Sequence, residues 1–155
     1  RSGAAEIVMT DVASAPLEYA RKAGVDRTIN VAAAPEELSA YSADKGYFDV
    51  LFEASGNEAA LRGALDVVRP RGVIVQIGIG GEMKLPVNTI VAKEIELRGA
   101  FRFHEEFAIA VEFISKRLID VRPIISATLP FTSAVEAFEL ASDRSRSMKV
   151  QLAFG

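Results

Sequence analysis

The sequence predicts an α/β protein built on a doubly wound parallel sheet, and three observations support this fold class. Short runs rich in β-branched residues alternate with helical patterns along most of the chain. Residues 73–77 form a near-continuous apolar run, as expected of a strand covered by helices on both faces. Of the 155 residues, 50% are hydrophobic and 25% are charged, which is the composition of a globular chain.

The first part of the chain contains two predicted β-α steps. Residues 6–10 are rich in strand-forming side chains, and residues 16–23 show a helical pattern that is closed by Gly24. Residues 27–31 predict a second, weaker strand. Pro35 follows at a position where proline often opens a helix, so a short helix is expected there.

The clearest unit is a strand followed by a capped helix. Residues 49–53 predict the strand, which ends in Ala54-Ser55-Gly56, and Asn57 is placed to cap the helix that follows. The apolar side chains expected on one face of this helix are Leu61, Ala64, Leu65 and Val68.

Two further strands and a helix follow. The strand at residues 73–77 leads into Gly78-Ile79-Gly80-Gly81, and residues 95–101 predict another strand. A helix is predicted over residues 105–118, where apolar side chains recur at helical spacing at Phe107, Val111, Ile114 and Leu118.

The pattern changes after residue 120. Residues 124–131 are expected to be extended, and a helix capped by Thr132 should turn Val135 and Phe138 inward. Residues 148–154 predict the last strand. This change in the order of predicted strands and helices indicates a domain boundary near residue 120.

Composition excludes several classes of function for these residues. Cysteine is absent and there is one histidine, so a disulfide, a thiol nucleophile and a Cys/His zinc site are excluded. The net charge is −3 with scattered basic residues, which argues against nucleic-acid binding. No apolar run is long enough for a membrane helix, and no signal peptide is seen, so we expect a cytoplasmic protein that binds no membrane.

Candidate binding residues are those that follow strands, because ligands of open parallel sheets sit at the carboxyl ends of strands. Asp11 ends the first strand, where an acid can accept hydrogen bonds from the ribose of a dinucleotide or simply stabilise a turn. Ser55 and Gly56 can contact a ligand or form the strand-to-helix turn. The Gly-rich turn that dinucleotide binding requires, about 20 residues before the acid, would precede residue 1.

Gly78-Ile79-Gly80 is not the expected pyrophosphate loop. The third glycine position of that pattern holds Met83, and Leu85-Pro86 follows instead of a helix start. Two alternatives remain for this segment. It either lets a flat ring approach the backbone closely or is a glycine-rich connection.

The residues after the strand at 95–101 include one further candidate. Arg102 and Phe103 follow a predicted buried strand at the ligand edge, where an arginine can bind a small polar substrate or form an ion pair. His104, Glu105 and Glu106 are interpreted as ordinary residues of a helix start, because acids are favoured there by the helix dipole.

The chain resembles medium-chain, zinc-dependent polyol dehydrogenases. The resemblance rests on Thr10-Asp11, Phe52-Glu53-Ala54-Ser55-Gly56, Ile77-Gly78-Ile79-Gly80 and Leu97-Arg98-Gly99-Ala100-Phe101-Arg102-Phe103, in that order and spacing. The segments 45–50, 93–95 and 149–152 extend the likeness across nearly the whole chain.

The resemblance implies a Rossmann-like domain over residues 1–119 that lacks its first strand and Gly-rich loop. Arg1-Ser2-Gly3 would then be a helix end. Residues 120–155 would return to pack on a catalytic GroES-like domain that precedes this chain. The zinc ligands and the proton relay would lie in that domain, so this chain would hold no catalytic and no metal-binding residue.

The resemblance also implies roles for individual residues. Asp11 would hold the adenosine ribose and favour NAD over NADP, because its charge repels a 2′-phosphate. Arg102 and Phe103 would border the substrate. The coenzyme-binding set would be Asp11, Ser55, Gly56, Ile77, Gly78, Ile79, Phe101 and Arg102.

The expected activity is therefore hydride transfer from a secondary alcohol of a sugar acid to NAD, by an intact enzyme that also needs zinc. This chain alone is not expected to catalyse. Another polyol or alcohol, such as sorbitol or threonine, is the alternative substrate. A stand-alone flavodoxin-like or receiver-like module is a more distant alternative, since Glu53 replaces the aspartate that a receiver needs.

The family likeness further implies a homodimer or homotetramer paired through the strand at 95–101.

Overall fold

The computed structural model describes residues 3–155, which form two compact units. The terminal unit comprises residues 3–35 and 104–155, and the middle unit comprises residues 36–103. The helix end implied at Arg1 and Ser2 lies outside the described residues. Each unit has its own parallel strands and its own buried side chains.

The first part of the terminal unit is a β-α-β step. Strands β1 (Val8–Asp11) and β2 (Arg27–Asn30) pair in parallel and flank helix α1 (Ser14–Lys22). Helix α1 buries Leu17 and Ala20, and β2 buries Ile29, so the helix packs its apolar face against the two strands.

The second part of the terminal unit repeats this arrangement on a separate two-stranded sheet. Its elements are helix α5 (Glu105–Ser115), strand β6 (Ile125–Pro130), helix α6 (Ala134–Ser142) and strand β7 (Lys149–Ala153). Strands β6 and β7 pair in parallel, with a register shift near the start of β6.

The middle unit carries a three-stranded parallel sheet in the order β3-β4-β5. Its elements, which follow helix α2 (Pro35–Ser39), are β3 (Phe48–Glu53), α3 (Glu58–Val67), β4 (Val68–Gln76), α4 (Val87–Ala92) and β5 (Glu96–Gly99). Its core is a cluster of buried side chains formed by Leu61, Ala64, Leu65, Val68, Ile74 and Ile95.

The strand pairing agrees with the predicted fold class. Every strand pair in the described residues is parallel, and the pairings are β1-β2 and β3-β4-β5 in the first five strands. A Rossmann sheet has the strand order 3-2-1-4-5-6, so without strand 1 it falls into a pair and a triplet. The observed pairings are that pair and that triplet.

The prediction for helix α6 was wrong in two respects. Ser133, and not Thr132, is the residue before the helix, and no side chain caps the helix start; both residues belong to a short 3₁₀ turn at Phe131–Ser133. Val135 and Phe138 do not point inward and are 75% and 70% exposed. Ala137 is the buried residue of α6, so the buried stripe is displaced by about one position from the one predicted.

Among the other predicted boundaries that differ from the structure are the ends of helices α5 and α3. Helix α5 stops at Ser115 and not at residue 118, because Arg117 adopts a left-handed conformation with φ of 55° that a helix cannot include. Val68 is buried as predicted, but it begins strand β4 and is not a residue of α3.

Candidate functional site

The candidate site lies where strands β3 and β4 end in the middle unit. Glu53 is the last residue of β3 and pairs in register with Gln76, the last residue of β4. Residues paired across a parallel sheet present their side chains on the same face. A carboxylate and a carboxamide therefore meet at the carboxyl edge of this sheet.

Glu53 is a buried carboxylate, only 4% exposed, that accepts hydrogen bonds on both oxygens. Its Oε1 accepts from the backbone N of Ser55 at 2.8 Å and from the Ser55 hydroxyl. Its Oε2 accepts from the backbone N of Gly56 at 2.9 Å and from Nε2 of Gln76 at 2.5 Å. Four donors thus converge on one side chain.

These donors keep Glu53 ionised at neutral pH. Burial by itself raises the pKa of Glu53, but the hydrogen bonds from the Ser55 hydroxyl, from the backbone N–H groups of Gly56 and Ser55 and from Gln76 lower it. The lowering prevails, so the pKa of Glu53 lies below that of an ordinary glutamate.

The carboxamide of Gln76 is fixed in one orientation by its neighbours. Its Nε2 donates to Glu53 Oε2 and to the carbonyl oxygen of Gly78, the latter at 2.8 Å. Both neighbours are acceptors, so the nitrogen must face them. Its Oε1 is buried and has no hydrogen-bond partner among residues 3–155.

The loop after β4 lies directly against the turn after β3. The backbone N–H groups of Ile77 and Gly78 donate to the Glu53 carbonyl at 2.7 and 2.9 Å. A Cβ on Gly78 would overlap the backbone nitrogen of Gly56, and a Cβ on Gly80 would overlap the Gly56 carbonyl oxygen. The contact between these two segments therefore explains why both positions hold glycine.

The predicted cap of helix α3 is confirmed. Asn57 Oδ1 accepts from the backbone N–H groups of Ala59 and Ala60, at 2.8 and 3.4 Å. This cap fixes the direction in which the chain leaves Gly56, and the helix then buries Leu61 and Leu65 in the core.

The edge also carries exposed apolar side chains. The backbone N–H of Ala100 donates to the Gln76 carbonyl at 2.9 Å, so the chain after β5 begins at the same edge. Ile79 is 75% exposed and Phe101 is 68% exposed. Arg102 has a positive φ of 59°, and its guanidinium lies 4.9 Å from the centre of the Phe101 ring.

The structure therefore brings together some of the candidate residues. Ser55, Gly56 and residues 77–79 are in direct backbone contact, while residues 101–103 follow the neighbouring strand. Asp11 belongs to the terminal unit, where it ends β1 and its Oδ1 accepts from the backbone N of Ala13 at 2.9 Å. This hydrogen bond stabilises the turn after β1, which is one of the two roles expected of Asp11. The other role, binding of the coenzyme, stays a prediction.

Sequence reasoning gave no binding role to Glu53 and Gln76, which organise this edge. A signal was present for both. Gln76 is the polar residue at the end of an otherwise apolar strand, and Glu53 immediately precedes a turn with Ser55 and Gly56, whose N–H groups need acceptors.

A cleft of about 430 Å³ in the middle unit is lined by none of the predicted site residues. Within it, Lys93 Nζ donates to the carbonyl oxygens of Leu65 and Asp66 at 2.5 and 3.3 Å. Burial lowers the pKa of Lys93, and the charge of Asp66 opposes that shift. Lys93 therefore satisfies free carbonyls at the end of α3, which is a structural role.

The residues present do not fit a zinc site. Within residues 3–155, no group of three or more His, Cys, Asp or Glu side chains is placed to hold a metal ion. The sequence also contains no cysteine. In the same described part of the chain, no helix is long and apolar enough to cross a membrane.

The sequence and the fold match a known family. A family model described as zinc-binding dehydrogenase matches residues 1–116. The chain belongs to the zinc-binding dehydrogenase family. The resemblance inferred from the sequence and the predicted Rossmann-like fold class are both confirmed.

Particular relatives narrow the comparison. L-idonate 5-dehydrogenase (NAD(P)(+)) of Escherichia coli (strain K12) is 43% identical over 153 residues, which are 98% of this chain and 44% of that protein. The crystal structure of the E. coli L-idonate 5-dehydrogenase superposes with a TM-score of 0.89 over the same shares of the two chains. D-xylulose reductase of Saccharomyces cerevisiae is 34% identical over 147 residues, 90% of this chain and 41% of that protein.

Some of the similar solved structures were determined with a coenzyme. A short chain alcohol dehydrogenase of E. coli CFT073, complexed with NADH, is 23% identical with a TM-score of 0.85, over 97% of this chain and 45% of that one. This likeness shows the fold alone. The chain spans less than half the length of the relatives it matches.

Proposed function

We propose that these residues are the coenzyme-binding half of an NAD-dependent, zinc-dependent dehydrogenase that oxidises a secondary alcohol of a sugar acid, L-idonate, to 5-ketogluconate. The observation that carries this proposal is the 43% identity to an L-idonate 5-dehydrogenase through 98% of the chain. The exposed apolar side chains at the carboxyl edge of β3-β4-β5 support it, because that edge is where such sheets bind ligands.

The coenzyme, when bound, accepts the hydride at its nicotinamide ring. Asp11 accepts hydrogen bonds from the adenosine ribose, and its charge disfavours NADP. Ser55 and Gly56 line the coenzyme. The backbone of Ile77, Gly78, Ile79, Phe101 and Arg102 orients the nicotinamide.

The substrate is bordered by Arg102 and Phe103. A sugar acid carries a carboxylate, for which a guanidinium is a charge-matched donor. The side chain of Arg102 lies beside the exposed Phe101 ring at the sheet edge, which leaves it available to a ligand from solvent.

We infer the domain boundary, the assembly and the location from the same likeness. Residues 1–119 form the partial Rossmann domain, and residues 120–155 return to a GroES-like catalytic domain that supplies the zinc ligands. The intact enzyme is a cytoplasmic homodimer or homotetramer. It acts on a small molecule and binds neither nucleic acid nor a membrane.

The substrate is tested by assaying the complete gene product, loaded with zinc, on L-idonate, sorbitol, xylitol and threonine with NAD and with NADP. We expect the highest kcat/KM for L-idonate with NAD. A higher kcat/KM for sorbitol or xylitol would move the assignment to the polyol branch that the 34% identity to a D-xylulose reductase represents.

The role of Arg102 is tested by Arg102→Ala. Because a lost charged hydrogen bond affects only a charged substrate, KM for L-idonate should rise about tenfold or more, with little change for neutral sorbitol. Arg69→Ala is the matched control, since Arg69 lies near the opposite end of β4 and is paired with Asp49. Equal changes in KM for both substrates would contradict a substrate contact.

A further inference from the structure

We propose that Glu53 is a positioning residue for the coenzyme: its buried carboxylate holds the turn at residues 55–56 and the loop at residues 77–80 as one rigid surface. The inference rests on the proposed function, because the coenzyme is the ligand that this surface would bear. Glu53 itself is buried, so it would act through its neighbours and not by touching the ligand.

Among the described residues, Glu53 is the one that accepts hydrogen bonds both from the turn at residues 55–56 and from the loop at residues 77–80. Its side chain accepts from Ser55 and Gly56, and its backbone carbonyl accepts from Ile77 and Gly78. Through Gln76 its side chain is linked again to the Gly78 carbonyl. A change at Glu53 therefore acts on the turn and the loop together.

The fit between the two segments leaves little room for a shift. The Gly56 backbone occupies the space where a Cβ on Gly78 or on Gly80 would stand. A movement of the turn by a fraction of an ångström must therefore move the loop as well. The side chains that this loop exposes, Ile77 at 45% and Ile79 at 75%, would move with it.

The hydrogen bonds around Glu53 require a carboxylate at this position. Each oxygen of Glu53 faces two donors, so replacing either oxygen with an NH₂ group would set donor against donor. Glutamine has almost the size and shape of glutamate but cannot satisfy these groups. Aspartate is shorter but keeps two accepting oxygens.

The test compares Glu53→Gln, Glu53→Asp and Glu112→Gln in the complete gene product. Glu112 is the matched control, because it is an exposed glutamate that pairs only with Lys116 in the described structure. We measure the Kd for NADH by fluorescence titration, and KM for NAD and kcat at saturating NAD and alcohol.

We expect Glu53→Gln to weaken NADH binding about tenfold or more, Glu53→Asp to weaken it less, and Glu112→Gln to leave it unchanged. KM for NAD should rise in parallel, while kcat at saturation changes by less than about threefold. A role in mere space filling would give the opposite order, since glutamine replaces glutamate with less change of shape.

Amide hydrogen exchange gives a second readout without coenzyme. The N–H groups of Ser55 and Gly56 should exchange faster in Glu53→Gln than in the unaltered protein, while those inside α3 should not change. If Glu53→Gln does not fold, Gln76→Met replaces it, because it removes one donor from Glu53 and should weaken NADH binding several-fold.

The outcomes separate this inference from the proposed function. If the unaltered protein binds NADH and the Glu53 or Gln76 variants bind it equally well, the positioning role is overturned and the proposed function stands. An affinity order with aspartate weaker than glutamine would also overturn it. If the unaltered protein binds neither NADH nor NADPH, the proposed function fails and this inference fails with it.

Discussion

Helices α3 and α5 have similar lengths and both follow a strand of the middle-unit sheet, yet they differ in what they bury. Helix α3 buries Leu61, Ala64, Leu65 and Val67. Helix α5 buries none of its residues, and its Phe107 is 56% exposed. Both sequences show apolar side chains at helical spacing, so spacing predicts a helix without telling whether a partner surface is present.

The partner of α3 is visible in the same unit. Val68 and Ile74 of β4 belong to the cluster that receives Leu61 and Leu65. For α5 no such cluster forms among the described residues, although its apolar residues are as large. An exposed apolar helix of this kind usually marks a surface that another part of a protein covers.

The largest expected effect comes from shortening one apolar side chain to alanine in each of the two helices. Leu65→Ala should lower the free energy of unfolding of the chain by about 2–5 kcal/mol, because Leu65 is 1% exposed within the core. Ile114→Ala in α5 should cost less than about 1 kcal/mol, because that side chain is 43% exposed. Urea denaturation measures both, and equal losses would show that α5 is buried in solution.

A second effect comes from the contact beside α3. Gly78→Ala should destabilise the chain by about 1–3 kcal/mol, since the new Cβ would overlap the backbone of Gly56. Gly81→Ala is the control, with nothing within 4 Å of its Cβ, and should change stability by less than about 0.5 kcal/mol. If both variants unfold at the same urea concentration, the two segments are not packed as described.

The third test uses pH to probe the hydrogen bonds to Glu53 in the middle unit. A carboxyl whose pKa is lowered by folding stabilises the protein above the unfolded pKa, near 4.3, and this stabilisation is lost as the pH falls through the folded pKa. The pKa of Glu53 is lowered in the folded protein. The urea concentration at the midpoint of unfolding should therefore decrease as the pH is lowered below about 4.3. Glu53→Gln should reduce this dependence, and an unchanged dependence in that variant would contradict the hydrogen-bonded carboxylate described above.

The smallest effect concerns helix propensity alone. Gly63 lies inside α3, and apart from its chain neighbours and the backbone of its own helix, a Cβ added there would meet no atom within 4 Å. Gly63→Ala should therefore stabilise the chain by about 0.5–1 kcal/mol. Ala110→Gly inside the exposed helix α5 should destabilise that helix by a similar amount. Circular dichroism during thermal unfolding measures both, and a loss of stability in Gly63→Ala would show that the space beside α3 is filled.

The sequence was sufficient to predict most elements, because strands and helices depend on local periodicity and on caps such as Asn57. It was insufficient where burial depends on distant partners. The apolar character of Val135 and Phe138 predicts that they face inward, whereas Ala137 is the buried residue of α6. The local sequence pattern does not determine which of two adjacent apolar faces of a helix packs against a sheet.

The candidate site shows the same division. The positions of Ser55, Gly56 and Gly78 at strand ends could be read from the chain, because parallel strands share an edge. The link from Glu53 to Gln76 could not, since they are 23 positions apart and only the register of β3 against β4 places them side by side. The coenzyme roles of all these residues stay predictions.

The contact between Gly56 and the glycines at 78 and 80 limits how this protein can be redesigned. Loop grafting from a relative commonly exchanges one loop at a time. Here a transplanted 77–80 loop with any side chain at position 78 would meet the unchanged backbone at residue 56. Residues 53–57 and 76–80 must therefore be exchanged as one cassette, and library diversity is better placed at Ile79, whose side chain is exposed.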